Sequence, residues 1–180
     1  MKRLKRNQEN NQVWHRLILY GVLGLYIIIL LILLFGKASS MRTINLVPFH
    51  TIADYLSHDK PLGISNVIGN VVLFIPMGVY LALFRPNKKQ MGSLLYILLA
   101  SAAIEVTQYI LQVGAADIDD VILNGIGGLL GIALYQFLKR IFKQKVRHAV
   151  EIISLITGIL FLIVAVGLWT GIFDVYIRIL

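Results

Sequence analysis

The chain has 180 residues, of which 58% are hydrophobic, and it carries 17 Lys and Arg residues against 9 Asp and Glu residues. A soluble domain averages roughly 45–50% apolar residues, so this excess predicts a membrane protein. There is no cysteine, which excludes a disulfide framework, a thiolate metal site and a cysteine nucleophile. The net charge of +8 lies in alternate loops, and it therefore indicates membrane orientation rather than nucleic-acid binding.

Five blocks of apolar residues follow one another along the chain, and a run of about 18 or more such residues predicts a membrane-spanning helix. The sequence therefore predicts an all-α, polytopic transmembrane bundle of about five spans. Within the core the predicted spans are 66–84, 92–113 and 121–138. The predicted organisation is a basic cytoplasmic tail at 1–16, a first span at 17–35, an extracytoplasmic loop at 36–65, a core of three spans at 66–138, a basic cytoplasmic loop at 139–149, and a fifth span with a short tail at 150–180.

The basic residues predict the orientation of this bundle. Most of the Lys and Arg residues precede the first block, follow the second block or follow the fourth. Cytoplasmic loops of membrane proteins are enriched in Lys and Arg. The pattern predicts a multi-pass protein of the bacterial cytoplasmic membrane with its N-terminus inside and its C-terminus outside.

Polar residues interrupt the apolar blocks where burial is expensive. Glu105 lies well within the third block, and Gln108 and Gln112 follow it on the same predicted helix face. The second and fourth blocks run inward and the third runs outward, so their polar residues should meet in the outer half of the bundle. We expect either an outward-facing polar pocket or a structural network in which Glu105 bonds Asn70 or Asn124. The predicted pocket consists of Asn70, Glu105, Gln108, Asp117, Asp119, Asp120 and Asn124.

Several of these residues also have simpler interpretations. Asp117 is well placed to cap the fourth helix. The acidic run 117–120 offers oxygen ligands suited to Mg²⁺ or Ca²⁺, although no metal site and no cofactor is the leading prediction. Gly127, Gly128 and Gly131 are expected to serve helix packing. His50 and His58 are expected to be solvated, and no common enzyme signature is present.

Three segments together resemble the VanZ-like family of bacterial membrane proteins. They are Asn45-Leu46-Val47-Pro48-Phe49, the stretch 66–78 with Gly69-Asn70-Val71-Val72-Leu73-Phe74-Ile75-Pro76-Met77-Gly78 at its centre, and the stretch from Ile104-Glu105 through Gln108-Tyr109 to Asp117-Ile118-Asp119-Asp120, Asn124 and Gly127-Gly128. Their order and spacing both fit, and the resemblance covers about residues 45–135. Many members carry an Arg shortly before the acidic run, where this sequence has Gly114-Ala115-Ala116, and this departure weakens any inference of anion recognition.

The resemblance implies a role in the cell envelope, because the family's named member is associated with resistance to teicoplanin, a lipid-tailed glycopeptide antibiotic. It also adds Asn45, Pro48 and Phe49 to the candidate residues, as an outer-loop motif. The expected partners are the lipid bilayer and an amphipathic ligand or cell-wall lipid, with no nucleic acid. The oligomeric state is left open. An enzyme acting on a lipid headgroup, with Glu105 or an Asp as acid or base, a small transporter and a scaffold remain alternatives.

Overall fold

The computed structural model describes residues 2–35, 43–57, 61–86 and 90–169. Two compact units divide the chain: residues 29–143 form the first, and residues 1–28 together with 144–180 form the second. The predicted connection at 36–42, His58 and the tail at 170–180 lie outside the described residues. The elements in chain order are α1 (Lys2–Phe35), β1 (Ile44–Asn45), α2 (His50–Ser57), α3 (Pro61–Phe84), α4 (Gln90–Leu111), β2 (Ala116–Asp117), α5 (Ile118–Phe142), a 3₁₀ turn (Lys143–Lys145) and α6 (Val146–Trp169).

The long helices confirm the all-α, multi-pass architecture. Within the described residues, four segments are long and apolar enough to cross a membrane: Val13–Phe35, Gly63–Phe84, Gln90–Leu111 and Ile118–Leu160. The last segment has 43 residues, about twice the ~20 residues that one crossing needs, and it contains α5 and the first part of α6. Which terminus faces the cytoplasm stays a prediction.

Two of the predicted connections contain regular structure. The segment expected to be a loop at 36–65 holds β1 and α2, and α3 begins at Pro61 rather than at Asn66. The basic connection expected at 139–149 is helical, apart from the 3₁₀ turn at 143–145. Lys, Arg and Gln are good helix formers, so a charged stretch outside the apolar blocks need not interrupt a helix.

Glycines set the distance between α3 and α5. A Cβ atom added at Gly127 would overlap the carbonyl oxygen of Val71, and one added at Gly131 would overlap that of Ile75. Small residues at these positions let the two backbones approach closely, which is the usual way helices associate in lipid. The predicted packing role of these glycines is confirmed.

The surface of α5 is inverted relative to that of a soluble helix. Gly127 and Asn124 are buried, whereas Ile126, Leu129 and Phe137 are exposed. In a soluble protein this arrangement would expose large apolar groups to water and bury a polar one, at a cost on both counts. It is suited to a helix whose outer face contacts lipid.

Candidate functional site

Two short strands bring together parts of the chain that lie about 70 residues apart. β1 and β2 pair in parallel, with Ile44 opposite Ala116 and Asn45 opposite Asp117. The backbone N–H of Ala116 also donates to the carbonyl oxygen of Thr43, at 3.0 Å. This pairing places the Asn45 motif directly beside the acidic run at the start of α5.

Asp119 is the central anchor of this arrangement. Its side chain is wholly buried, and one carboxylate oxygen accepts the backbone N–H of Phe49. The other oxygen accepts the N–H groups of Thr51 at 2.8 Å and Ile52 at 3.1 Å. These donors belong to the start of α2, where helical N–H groups lack intrahelical partners. Because Asp119 also lies in the first turn of α5, its negative charge is stabilised by the N-terminal ends of two helices.

Asp117 joins the same segments through its side chain. It is the N-cap of α5, as predicted, and accepts the N–H of Asp119 at 2.9 Å. The same oxygen accepts from the Asn45 amide at 3.1 Å, and the other oxygen accepts from the Thr51 hydroxyl at 2.6 Å. Asn45 also donates to the Thr51 hydroxyl, at 2.9 Å. The bonds that Asp117 accepts from Asn45 and Thr51 join the 43–57 segment to the start of α5. The other two bonds lie within one of these segments.

Glu105 reaches this region from α4. It is 5% exposed, and its carboxylate accepts the backbone N–H of Asp117 at 3.0 Å. One partner of Glu105 is therefore a backbone group of the acidic run, and the expected bond from Glu105 to Asn70 or Asn124 stays a prediction. We call Asn45, Thr51, Glu105, Asp117 and Asp119 the anchor cluster, because together they fix the 43–57 segment to α4 and α5.

The remaining predicted pocket residues form separate contacts around the anchor cluster. The amide of Asn70 donates to Asp120, which links α3 to the first turn of α5. Gln108 is buried and donates to the carbonyl oxygen of Leu34, at 2.7 Å, where α1 ends and its carbonyls lack helical partners. Asn124 donates to the Ser101 hydroxyl at 2.8 Å.

Gln112 departs from the predicted polar face. It lies beyond the end of α4 with a positive φ of 58°, and its side chain is exposed. Its N–H bonds the carbonyl of Tyr109 and the next N–H bonds that of Gln108, which is the pattern of a Schellman helix end. The expectation that Gln112 continues the face of Glu105 is wrong, because the helix ends one residue earlier.

Apolar side chains project from the segment that the anchor cluster holds. The exposed fractions are 56% for Ile44, 72% for Leu46, 61% for Val47 and 61% for Phe49. Phe49 has a positive φ of 64°, a backbone conformation that bulky residues rarely adopt. Its N–H bond to Asp119 helps to hold that conformation. We call these four residues the apolar row.

Tyr55 occupies the opposite end of α2. A Cβ atom at Gly63 would lie only 2.5–2.8 Å from its side chain, so the ring packs directly on the start of α3. Burial, followed by the nearby charges of Asp120 and Asp117, raises the pKa of the Tyr55 hydroxyl, whereas a hydrogen bond with Asn66 lowers it. The raised pKa reflects how closely α2 lies to the acidic run.

A cation at the acidic run stays a prediction. The carboxylates of Asp117 and Asp119 accept hydrogen bonds from the protein's own N–H and O–H groups, and a Mg²⁺ or Ca²⁺ ion would have to replace some of these donors. Ligand binding by the predicted pocket residues likewise stays a prediction.

Sequence reasoning missed two members of these contacts. Thr51 and Ser101 carry no motif, and hydroxyl residues are common in loops and in membrane helices. Their partners on other segments, Asp117 and Asn124, lie 66 and 23 residues away, so no local spacing could have indicated these contacts. The position of Thr51 near the start of a short helix was the one available signal.

Long apolar helices with polar groups buried between them define a multi-pass α-helical membrane protein. The sequence model of the VanZ/LLP1 family matches residues 18–140, from α1 to near the end of α5. Protein VanZ of Enterococcus faecium is 32% identical over 155 residues, covering 79% of this chain and 87% of that protein. The chain therefore belongs to the VanZ family. No solved structure matches it significantly.

Proposed function

We propose that this VanZ-family protein gives tolerance to lipid-tailed glycopeptides of the teicoplanin type by binding an amphipathic ligand at the outer face of the membrane. The observation that carries the proposal is the apolar row. Four neighbouring apolar side chains are more than half exposed, and they are held there by a buried carboxylate and a strand pairing. Contiguous exposed apolar surface generally marks a site that contacts a lipid, a ligand or a partner.

The two chemical halves of such a ligand match two neighbouring surfaces. An acyl chain would lie against the apolar row, where each buried CH₂ contributes about 0.8 kcal/mol. The polar head would meet Asp117 and Asp120, which are both only partly buried. In this proposal Asp119 positions the segment and does not touch the ligand, because its carboxylate is wholly buried.

The deeper polar residues support the floor of the site. Asn70, Glu105, Gln108 and Asn124 are all buried, and each bonds a group on a neighbouring segment. They fix the spacing of α3, α4 and α5 beneath the acidic run. Of the sequence-predicted set, we therefore expect Asp117, Asp120 and the Asn45–Phe49 motif to contact ligand.

Two other functions have less support. An enzyme acting on a lipid headgroup would use Glu105 or an Asp as acid or base, yet Glu105, Asp117 and Asp119 already bond groups of the protein. A small transporter would require a path for its cargo through the buried polar residues, and these residues bond groups on neighbouring segments. The engaged carboxylates favour a structural role for Glu105 and Asp119 and a contact role for the surface that they hold.

A paired susceptibility assay tests the proposal. A susceptible Gram-positive host would express wild type, Phe49→Asn or Phe137→Ala at matched membrane levels, with teicoplanin and vancomycin as the two antibiotics. Asn tolerates a positive φ, so the first variant removes the apolar ring without disturbing the backbone. Phe137, which is 57% exposed on α5, provides the matched control.

We expect wild type and Phe137→Ala to raise tolerance to teicoplanin only, and Phe49→Asn to abolish the effect. Equal tolerance in wild type and Phe49→Asn would exclude the apolar row as the contact surface. No tolerance in wild type would overturn the antibiotic role itself.

A further inference from the structure

Two histidines and a glutamate converge in the second compact unit, outside the family-matched residues. His15 lies on α1, and His148 and Glu151 lie three residues apart on α6. The Nδ1 atom of His15 is 2.9 and 2.8 Å from the two carboxylate oxygens of Glu151. The Nδ1 atom of His148 is 3.5 Å from one of them. The carboxylate is thus flanked by two imidazole nitrogens.

The burial of these groups is uneven in a way that suits a metal site. Glu151 is 4% exposed, whereas His15 and His148 are 44% and 59% exposed. The two imidazole rings meet edge to face, with centroids 5.4 Å apart and planes at 83°. They border an open cavity of about 600 Å³, which leaves room for a further ligand.

We propose that His15, His148 and Glu151 bind a transition-metal ion of the Zn²⁺ type. Two imidazoles and one carboxylate are a common ligand set for zinc, with a fourth position open to water or to another small ligand. Histidine and glutamate at positions i and i+3 share a helix face, so α6 supplies two ligands without rearrangement. His15 then completes the set from α1.

The distances require only small adjustments. Zinc bonds of about 2.0–2.1 Å in tetrahedral geometry place neighbouring ligand atoms roughly 3.3 Å apart. The three ligand atoms all lie within 4.8 Å of one another, and one Glu151 carboxylate oxygen lies 2.8 Å from the Nδ1 atom of His15 and 3.5 Å from that of His148. Side-chain shifts of less than about 1 Å would reach coordination geometry.

Neighbouring basic side chains determine which fourth ligand the metal ion would take. Arg16, Lys145 and Arg147 also line the cavity. Their charges oppose a bare dication, and they favour one whose open position holds an anion. We therefore expect the bound ion to take a small anion, such as azide or a carboxylate, as its fourth ligand.

Metal binding to the purified full-length protein tests this inference. The protein would be prepared in detergent without a histidine tag, freed of metal with a chelator, and titrated with Zn²⁺ or Co²⁺. We expect one ion per chain and a tetrahedral visible spectrum with Co²⁺ that changes when azide is added. His148→Ala and Glu151→Gln should each weaken binding by roughly 10-fold or more. His50→Ala, which removes another exposed histidine outside the cluster, should leave binding unchanged.

The two variants keep the test independent of folding. His148 is largely exposed, so its truncation should preserve the fold, and Gln at position 151 can still accept from His15. Equal Zn²⁺ affinity in wild type and His148→Ala, or binding that only His50→Ala removes, would overturn the proposal. So would the absence of a Co²⁺ spectrum at saturating metal.

Discussion

Replacing Asp119 with Asn should release α2 from the start of α5. The change keeps the size of the side chain but exchanges one carboxylate oxygen for an NH₂ group, which cannot accept a hydrogen bond. If the remaining oxygen keeps the N–H groups of Thr51 and Ile52, the NH₂ group faces the N–H of Phe49, and that bond is lost. The two surviving bonds also lose their charge.

The magnitude follows from these three contacts. A hydrogen bond to a charged group contributes about 1.5–3 kcal/mol, and a neutral bond is roughly half as strong as a charged one. At the lower end of this range, one lost bond and two weakened bonds amount to about 3 kcal/mol. At 1.4 kcal/mol per tenfold change, this loss should raise the undocked fraction of α2 roughly 100-fold.

Hydrogen exchange measured by mass spectrometry provides the assay. Amides of His50–Ser57 should exchange roughly 100-fold faster in Asp119→Asn, while those in the middle of α5 should stay unchanged. Asp119→Ala should accelerate exchange at least as much, because it removes all three bonds. The same isosteric change at Asp54, on α2 but outside the anchor cluster, is the control. Exchange within threefold of wild type in Asp119→Asn would refute the anchoring role.

Three further results are expected. Gly127→Ala should destabilise the protein by about 3 kcal/mol in a denaturation series because its Cβ meets an α3 carbonyl, whereas Gly69→Ala, with open space around it, should be neutral or stabilising. Glu105→Ala should lower the free energy of unfolding by about 1–3 kcal/mol, because it leaves the N–H of Asp117 unsatisfied. Glu105→Gln can still accept this bond and should lower the free energy of unfolding clearly less. Equal losses in the two variants would exclude this bond as the cause. Tyr55 has a raised pKa in the folded state, so its contribution to stability is complete below the unfolded value of 10.0 and is lost as pH rises through the folded pKa. Tyrosinate absorbance of wild type minus Tyr55→Phe should show this late titration, and a midpoint at or below 10.0 would contradict it.

Much of the fold could be predicted because lipid imposes simple rules on the sequence. The long apolar blocks predicted the all-α class. The glycines of α5 predicted its packing face, since only a small residue allows the close contact of Gly127 with the α3 backbone. The alternating directions of successive blocks placed Glu105 near the acidic run. These features depend on helix periodicity and length, which local sequence determines.

Pairings across the chain could not be predicted in the same way. The bond between Asn45 and Asp117 spans 72 residues, and no periodicity relates them. The short helix α2 could not be predicted, because its first N–H groups are capped by Asp119 on α5 and not by a residue just before the helix. His15 and Glu151 were overlooked for a similar reason, since 136 residues separate them.

The long separation between β1 and β2 also has a consequence for synthesis of the protein. The residues that stabilise α2 emerge from the ribosome about 70 residues after β1. At 5–20 residues per second, the 43–57 segment waits roughly 4–14 s before its carboxylate partners exist. During that interval the first turn of α2 has no acceptor from α5, and the Phe49 backbone has no partner to hold its positive φ. The surface that carries the apolar row can therefore mature only after α3 and α4 have been made.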